Sequence, residues 1–266
     1  MRVATWNVNS LNVRMPRVEE WFAYAQPDVV CMQETKLADA AFPYMSFEAL
    51  GYEVAHNGTG RWNGVAIASR VGLDDVVLGF GAVDTPIFDG GEPEPRLVTA
   101  TCGGVRVSSV YVPNRRSLDD PHYEYKLTWL AALRDEIAAT RQTTDPVIVT
   151  GDFNIAPEDK DVYDPKRFAN QTHTSPNERA ALDAIKELGF TDAFRTLYDD
   201  ERLYSWWDYR AGDFHQGRGL RIDLLLASTP LADRARWALI DRNARKGKQP
   251  SDHAPVVVDF DLEGLV

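Results

Sequence analysis

The sequence is poor in several features, and each shortage closes a class of explanation. Only two cysteines, Cys31 and Cys102, occur in 266 residues, and both lie inside apolar runs. That excludes a disulfide framework and the Cys/His spacing of structural zinc, so both thiols are expected to be reduced core residues. No apolar stretch reaches the roughly 18 residues that would suggest a membrane helix. No low-complexity segment or long linker interrupts the chain, and a single domain over residues 1–266 is expected. No apolar leader segment follows Met1, which with the reduced thiols makes the cytoplasm the expected location. Positive charge is scarce too: 29 Lys and Arg stand against 40 Asp and Glu, a formal net charge of −11. At face value that argues against nucleic acid as a partner. A binding face needs only local excess, however, and basic clusters occur at Arg115-Arg116, at Arg218 and Arg221, and at Arg242, Arg245, Lys246 and Lys248. The surplus acids fit a metal site, which needs carboxylates.

What is present is an alternation of short apolar strands and a few amphipathic helices. A strand over Val3–Trp6 precedes a helix over Pro16–Gln26, with Val18, Trp21, Phe22 and Ala25 on one face. Pro27 stops it, and Val29–Met32 reads as a buried strand. Asn57-Gly58 and Asn63-Gly64 are turn dipeptides around a strand at Gly64–Ser69. Gly103-Gly104 joins Leu97–Cys102 to Val105–Val112 as a hairpin. A helix from Tyr123 to Arg141 carries the stripe Leu127, Leu130, Leu133 and Ile137. Another begins at a capping box, Ser175-Pro176-Asn177-Glu178, with Ala181, Leu182, Ile185 and Leu188 as its stripe. Strands are expected at Val147–Thr150, Arg221–Ala227, Ala235–Ile240 and Ala254–Phe260. Many strands with few helices imply an α/β (α+β) domain, with two mostly antiparallel sheets face to face and helices outside.

Polar residues gather where these strands end: Asn7 and Asn9; Glu34; Tyr111 and Asn114; Asp152 and Asn154; Asp223; Asp252 and His253. Each has an ordinary reading as a turn cap, a solvated acid or a half-buried phenol. Asp223, between Ile222 and Leu224, is the exception, because a carboxylate inside an apolar strand needs a partner. That every strand end should carry such a group by accident is improbable, and the ends read as one convergent site. Acids and amides are hard oxygen ligands, which suit Mg²⁺ with Mn²⁺ as substitute. A hard cation beside Asp, Asn, His and Tyr matches phosphoryl chemistry.

The runs Trp6-Asn7-Val8-Asn9-Ser10-Leu11, Gln33-Glu34-Thr35-Lys36, Gly151-Asp152-Phe153-Asn154, Ser205-Trp206-Trp207-Asp208-Tyr209-Arg210, Gly219-Leu220-Arg221-Ile222-Asp223-Leu224-Leu225 and Ser251-Asp252-His253-Ala254-Pro255 resemble, in order, the exonuclease III family of abasic endonucleases within the endonuclease/exonuclease/phosphatase superfamily. The resemblance implies a four-layered α/β sandwich and hydrolysis of the phosphodiester 5′ of abasic sites in duplex DNA. It also implies trimming or dephosphorylation of 3′ ends, by a monomer. Glu34 would be the main metal ligand, helped by Asn7 and Asp252, with Asp152, Asn154 and His253 also at the metal or the attacking water. Asp223 would polarise His253, and Tyr111 and Asn114 would contact phosphate. Asn9 would face DNA, and Trp206, Leu220 and Ile222 would form an apolar pocket for a sugar without a base. Both Asp152 and His253 remain candidates for activating water. Two departures stand out: Asn12 occupies a position where the family often has Arg, and Arg115-Arg116 replaces a Gly-containing turn. Alternatives are a lipid or inositol phosphoesterase of the same superfamily, or a DNA-binding protein with a relict site.

Overall fold

The computed structural model describes residues 1–114, 117–142 and 145–265. Its strands are β1 (Arg2–Asn7), β2 (Val29–Gln33), β3 (Glu53–Asn57), β4 (Val65–Ser69), β5 (Asp74–Leu78), β6 (Leu97–Cys102), β7 (Val105–Tyr111), β8 (Val147–Asp152), β9 (Phe190–Asp192), β10 (Asp223–Ser228), β11 (Ala235–Ile240) and β12 (Val256–Phe260). The helices are α1 (Leu11–Ala25), α2 (Tyr44–Ala49), α3 (Pro121–Thr140), α4 (Pro165–Phe168), α5 (Pro176–Lys186), α6 (Asp213–Gln216) and α7 (Thr229–Ala232). Two six-stranded sheets result, in the orders β11-β12-β1-β2-β4-β3 and β5-β6-β7-β8-β10-β9. Each has a parallel pair at its centre, β1 with β2 and β7 with β8, among antiparallel neighbours.

Side-chain alternation makes the layers. In β1, Val3 points into the space between the sheets with Val29, Val107, Ile148, Leu225 and Val256, while Ala4 and Trp6 pack under α1 with Trp21 and Phe22. In the other sheet, Ile148 and Leu225 face inward, and Val147, Val149, Leu224 and Leu226 face α3 and α5. The inner strands β1, β2, β8 and β10 are covered on both faces, which is why they read as unbroken apolar runs. The order helix–sheet–sheet–helix is the expected four-layered sandwich. Cys31 and Cys102 are both buried free thiols in the central layer. Among the described residues no helix is long and apolar enough to cross a membrane.

Several boundaries differ from the sequence reading. Helix α1 begins at Leu11, not Pro16, because Leu11 is itself wholly buried and anchors an extra turn that Pro16 tolerates from within. In α3 the buried face is Tyr123, Tyr125, Lys126, Trp129, Leu130, Leu133 and Ile137, a stripe rotated away from Leu127 to take in a lysine. The capping box at Ser175 is formed as expected. Strands β3, β5 and β9 were not legible: β5 is an exposed edge opening on Asp74-Asp75, and β9 has three residues.

At the site end of β8, Gly151 runs against the β7 backbone. A Cβ there would overlap the Val110 carbonyl, a backbone atom that cannot swing aside. Gly151→Ala is therefore expected to destabilise the domain by about 2 kcal/mol or more, a clash of the overpacking kind. Urea unfolding measures it, and an unchanged midpoint would contradict this placement.

Candidate active site

Sheet register brings the polar strand ends together. Asn7 lies opposite Gln33 across the parallel β1–β2 pair, so Glu34 follows beside it. In the second sheet Tyr111 pairs with Asp152, and Asp152 pairs with Asp223. Ser251–His253 precede β12 and return to the same end, where the Ser251 hydroxyl donates to the Asn7 carbonyl at 2.7 Å. The turns leaving the strands are bent into left-handed backbone at Asn9, Glu34, Lys36 and Asn154, with φ of 43°, 52°, 54° and 52°. Such conformations cost non-glycine residues about 1 kcal/mol or more each and are held here by the surrounding hydrogen bonds.

One hydrogen-bonded chain joins the groups. Lys36 Nζ lies 2.8 Å from Glu34 Oε2. Asn7 Nδ2 donates to Glu34 Oε1 at 2.8 Å and to Asp152 Oδ2 at 2.9 Å, and Tyr111 donates its hydroxyl to Glu34 Oε1 at 2.9 Å. Across from Asp152 Oδ2, at 3.8 Å, stands His253 Nε2, whose Nδ1 donates to Asp223 Oδ2 at 2.8 Å. Ser205 Oγ donates to the same Asp223 oxygen at 2.6 Å. The Asn154 backbone N–H donates to Asp152 Oδ1 at 3.0 Å, and its amide nitrogen is tied to the Val112 carbonyl.

Burial and charge set the protonation states in opposite directions. Burial alone would raise the Glu34 carboxyl, but Lys36 and Asn7 outweigh it and hold it below the usual range. Asp152 is pushed up to about 7, first by burial and then by Asp223 and Glu34, against the opposing pull of His253 and Asn7. Burial works against a charged His253, yet Asp223 and Asp152 lift it to about 10, so the ring is an imidazolium at neutral pH. Burial and Glu34 keep the Tyr111 phenol well above its ordinary value. Paired carboxylates driven apart in this way are a common arrangement for acid–base chemistry.

Two sets of donors could hold a divalent cation. Asp152, Asp223 and His253 place ligand atoms within 4.8 Å of one another. Glu34, ionised and with its side chain 18% exposed, opens instead onto a recess shared with Trp62, Asn63, Tyr111 and Asn114. An ionised carboxylate open on one side fits a hard cation. Asn7 presents its nitrogen to both acids and accepts the Asn9 N–H at its oxygen, so here it bridges the carboxylates. Asp252 accepts from Asn9 Nδ2 at 2.9 Å and from Trp206 Nε1 at 3.0 Å.

The three residues expected at the sugar pocket lie together. Leu220 and Ile222 are 0% and 2% exposed, packed with Ala156 and Val162 beneath Trp206. They form a closed apolar floor, with Leu220 bridged to Trp206 by a pair of backbone hydrogen bonds. Trp206 and His173, 6.4 Å apart between ring centres, line the recess above with Tyr111 and Asn114. The basic clusters are also partly spent internally. Arg245 is buried, donates to the Ser251 carbonyl and lies over Tyr209 and Phe214. Arg218 pairs with Asp213. Arg221 is fully buried between Asp161 and Asp192. Arg115-Arg116 lies outside the described residues.

The Arg221 network has a stability consequence. Burial would raise Asp161, but Arg221 and Arg195 overcome it and lower its pKa. A carboxyl lowered in the folded state adds stability above its unfolded value, lost as pH falls towards the folded one. Asp161→Asn, which strands buried guanidinium charge, is expected to cost about 3–5 kcal/mol at neutral pH. The difference from the unsubstituted protein should shrink below about pH 4. Urea unfolding at both pH values checks this, and a pH-independent gap would contradict it.

Sequence reasoning passed over Lys36, Trp62, Lys126 and His173. Lys36 lies in the Gln33–Lys36 run, where nothing local marks it as the partner of Glu34. Trp62, 66% exposed beside the Asn63-Gly64 turn, is the kind of loop aromatic that composition can flag. Lys126 sits within an apolar helix face, which is itself a signal. His173 had no local signature.

Comparisons with known proteins bear on the family and the fold. The endonuclease/exonuclease/phosphatase family model matches residues 4–253. Exodeoxyribonuclease III of Haemophilus influenzae is 32% identical, over 98% of this chain and 100% of the relative. The structure of an AP endonuclease from Archaeoglobus fulgidus superposes with a TM-score of 0.91 at 38% identity, covering 98% of this chain and 99% of that one. The 3′ phosphatase NExo from Neisseria, bound to a product DNA hairpin, gives 0.92 at 39% identity, with the same coverage. The chain belongs to the endonuclease/exonuclease/phosphatase family.

Proposed function

We propose that the protein is a metal-dependent DNA repair nuclease that hydrolyses phosphate esters in duplex DNA, 5′ of abasic sites and at 3′ ends. The observation that carries the reading is the Asn7 bridge between an ionised Glu34 and an Asp152 poised near neutrality, with the His253 imidazolium opposite. Glu34 is the residue to hold Mg²⁺, or Mn²⁺ in its place, with Asp252 and Asn7 nearby; the protonated His253 has no lone pair to offer. Bound there, the cation would neutralise phosphate charge and the leaving oxygen. Asp152 accepts the proton of the attacking water, since His253 already carries its own. His253 donates to a non-bridging oxygen, and Tyr111, held protonated, donates beside it. Asn154 keeps Asp152 aimed through its backbone N–H. Asn9, Asn114 and Trp206 line the DNA side, and the enzyme acts as a monomer in the cytoplasm.

Labelled duplexes with a central abasic analogue, no lesion, or a recessed 3′ end test this in Mg²⁺ and in EDTA. Cutting 5′ of the lesion that EDTA abolishes is the expected result. No cutting of any DNA by folded protein would point to the lipid or inositol phosphoesterases instead.

A second reading, in which 3′-end processing dominates, is favoured by the closed floor at Leu220 and Ile222 and by His173 standing beside Trp206. A flipped sugar needs that space, whereas a terminal phosphate does not. The relatives at 38% and 39% identity are named for both activities, an AP endonuclease and a 3′ phosphatase. Release of a 3′-phosphate at least about 10-fold faster than abasic incision, a difference of about 1.4 kcal/mol in barrier, would establish it. The reverse order would return the abasic site to first place.

A further inference from the structure

Lys126 of α3 and Glu178 of α5 are 1% and 0% exposed, and their charges meet at 2.5 Å. Burying an ion pair gives little stability over well-packed apolar side chains, so the pair calls for another explanation. Its contacts supply one. Lys126 Nζ also donates to the Asn154 carbonyl at 2.8 Å, and His173 Nδ1 donates to the same oxygen at 2.7 Å. Glu178 gathers the segment that carries His173: it accepts from Thr172 Oγ1 at 3.2 Å, His173 N–H at 3.1 Å, Ser175 N–H at 3.1 Å and Ser175 Oγ at 2.7 Å. Everything therefore converges on one carbonyl. That carbonyl belongs to a buried residue in left-handed backbone, φ 52°, whose N–H holds Asp152 Oδ1 at 3.0 Å.

We infer that the Lys126–Glu178 pair is a positioning device, fixing the Asn154 turn and through it the carboxylate of Asp152. The inference rests on the proposed role of Asp152 and Asn154. Backbone bonds hold the residues on either side of the turn, and the Asn154 side chain is tied to the Val112 carbonyl. Lys126 and His173 hold the peptide from the other side, and Glu178 anchors both. Neither Lys126 nor Glu178 touches substrate in this arrangement. Their effect is on the aim of Asp152, where a displacement of about 1 Å can cost about 10²-fold in rate.

The test is the double variant Lys126→Met/Glu178→Gln in the full chain with Mg²⁺, assayed on 3′-phosphorylated and abasic duplexes alongside Asn154→Ala. The Gln keeps one acceptor oxygen, which serves the Ser175 N–H while the His173 N–H loses its partner, and the charges leave together. The expected result is a fall in kcat of about 10- to 100-fold with KM within about 3-fold. The melting temperature should stay within a few degrees, and the loss should not add to that of Asn154→Ala. A folded double variant with unchanged kcat, or a loss that adds in full to Asn154→Ala, would overturn the inference. Full activity of Asp152→Asn, assayed beside them, would instead overturn the site reading beneath it. If the Met variant does not fold, Lys126→Gln/Glu178→Gln reads the same outcomes, since the shorter amide cannot reach the carbonyl.

Discussion

Asp152→Asn is expected to lower kcat on duplex DNA by about 10²–10⁴-fold, the range usual for losing a general base. The change keeps the size of the side chain and an oxygen for the Asn154 N–H, so the turn should persist. What is lost is the ability to take a proton, together with the acceptor that Oδ2 offers the Asn7 amide. Asp152 is the one group of the cluster placed to do so near neutral pH: Glu34 is held below the ordinary carboxyl range and His253 is already protonated. KM should change little, because the contact matters in the transition state rather than in binding. Single-turnover kinetics would decide it. A variant that retains most of its rate would transfer the proton-accepting role elsewhere.

Asp223→Asn is expected to be nearly as damaging, about 10²–10³-fold in kcat. Asp223 is fully buried and holds His253 Nδ1 at 2.8 Å, and its charge is the main influence raising the ring to about 10. An asparagine can still accept from the imidazole but no longer favours its charged form, so the donor facing the phosphate weakens as the substrate gains charge. Ser205, which donates to the same carboxylate oxygen, can turn to the new amide oxygen, and stability should fall by only about 1–2 kcal/mol. Unchanged turnover with a neutral residue at this position would show that His253 is not needed as a cation.

The layered fold was legible because β1, β2, β8 and β10 are covered on both faces and so appear as unbroken apolar runs. The elements missed are those whose form is imposed by neighbours: the acidic edge β5 and the short β9. Among site residues, Asp223 announced itself as a carboxylate inside an apolar strand, and its imidazole partner was found in place. Asn7 is expected to help hold the metal; that its amide also bridges Glu34 and Asp152 is a tertiary fact that no local pattern holds. Leu220 and Ile222 are expected at an apolar sugar pocket from the resemblance; their depth beneath Trp206 is something strand periodicity does not reveal. The basic clusters misled for a similar reason: Arg221 and Arg245 look like surface charge until their buried partners Asp161, Asp192 and the Ser251 carbonyl are seen. Lys126 carried a usable signal, a lysine on the apolar face of α3.

The measurement that bears most directly on the site is Mn²⁺ binding followed by electron paramagnetic resonance, comparing the unsubstituted protein with Glu34→Gln. Glu34 as the principal ligand predicts saturable binding that weakens by about 10-fold or more on substitution, with the fold unchanged by circular dichroism. Equal Mn²⁺ affinity in the two proteins would contradict it and move the metal to the Asp152–Asp223–His253 cluster.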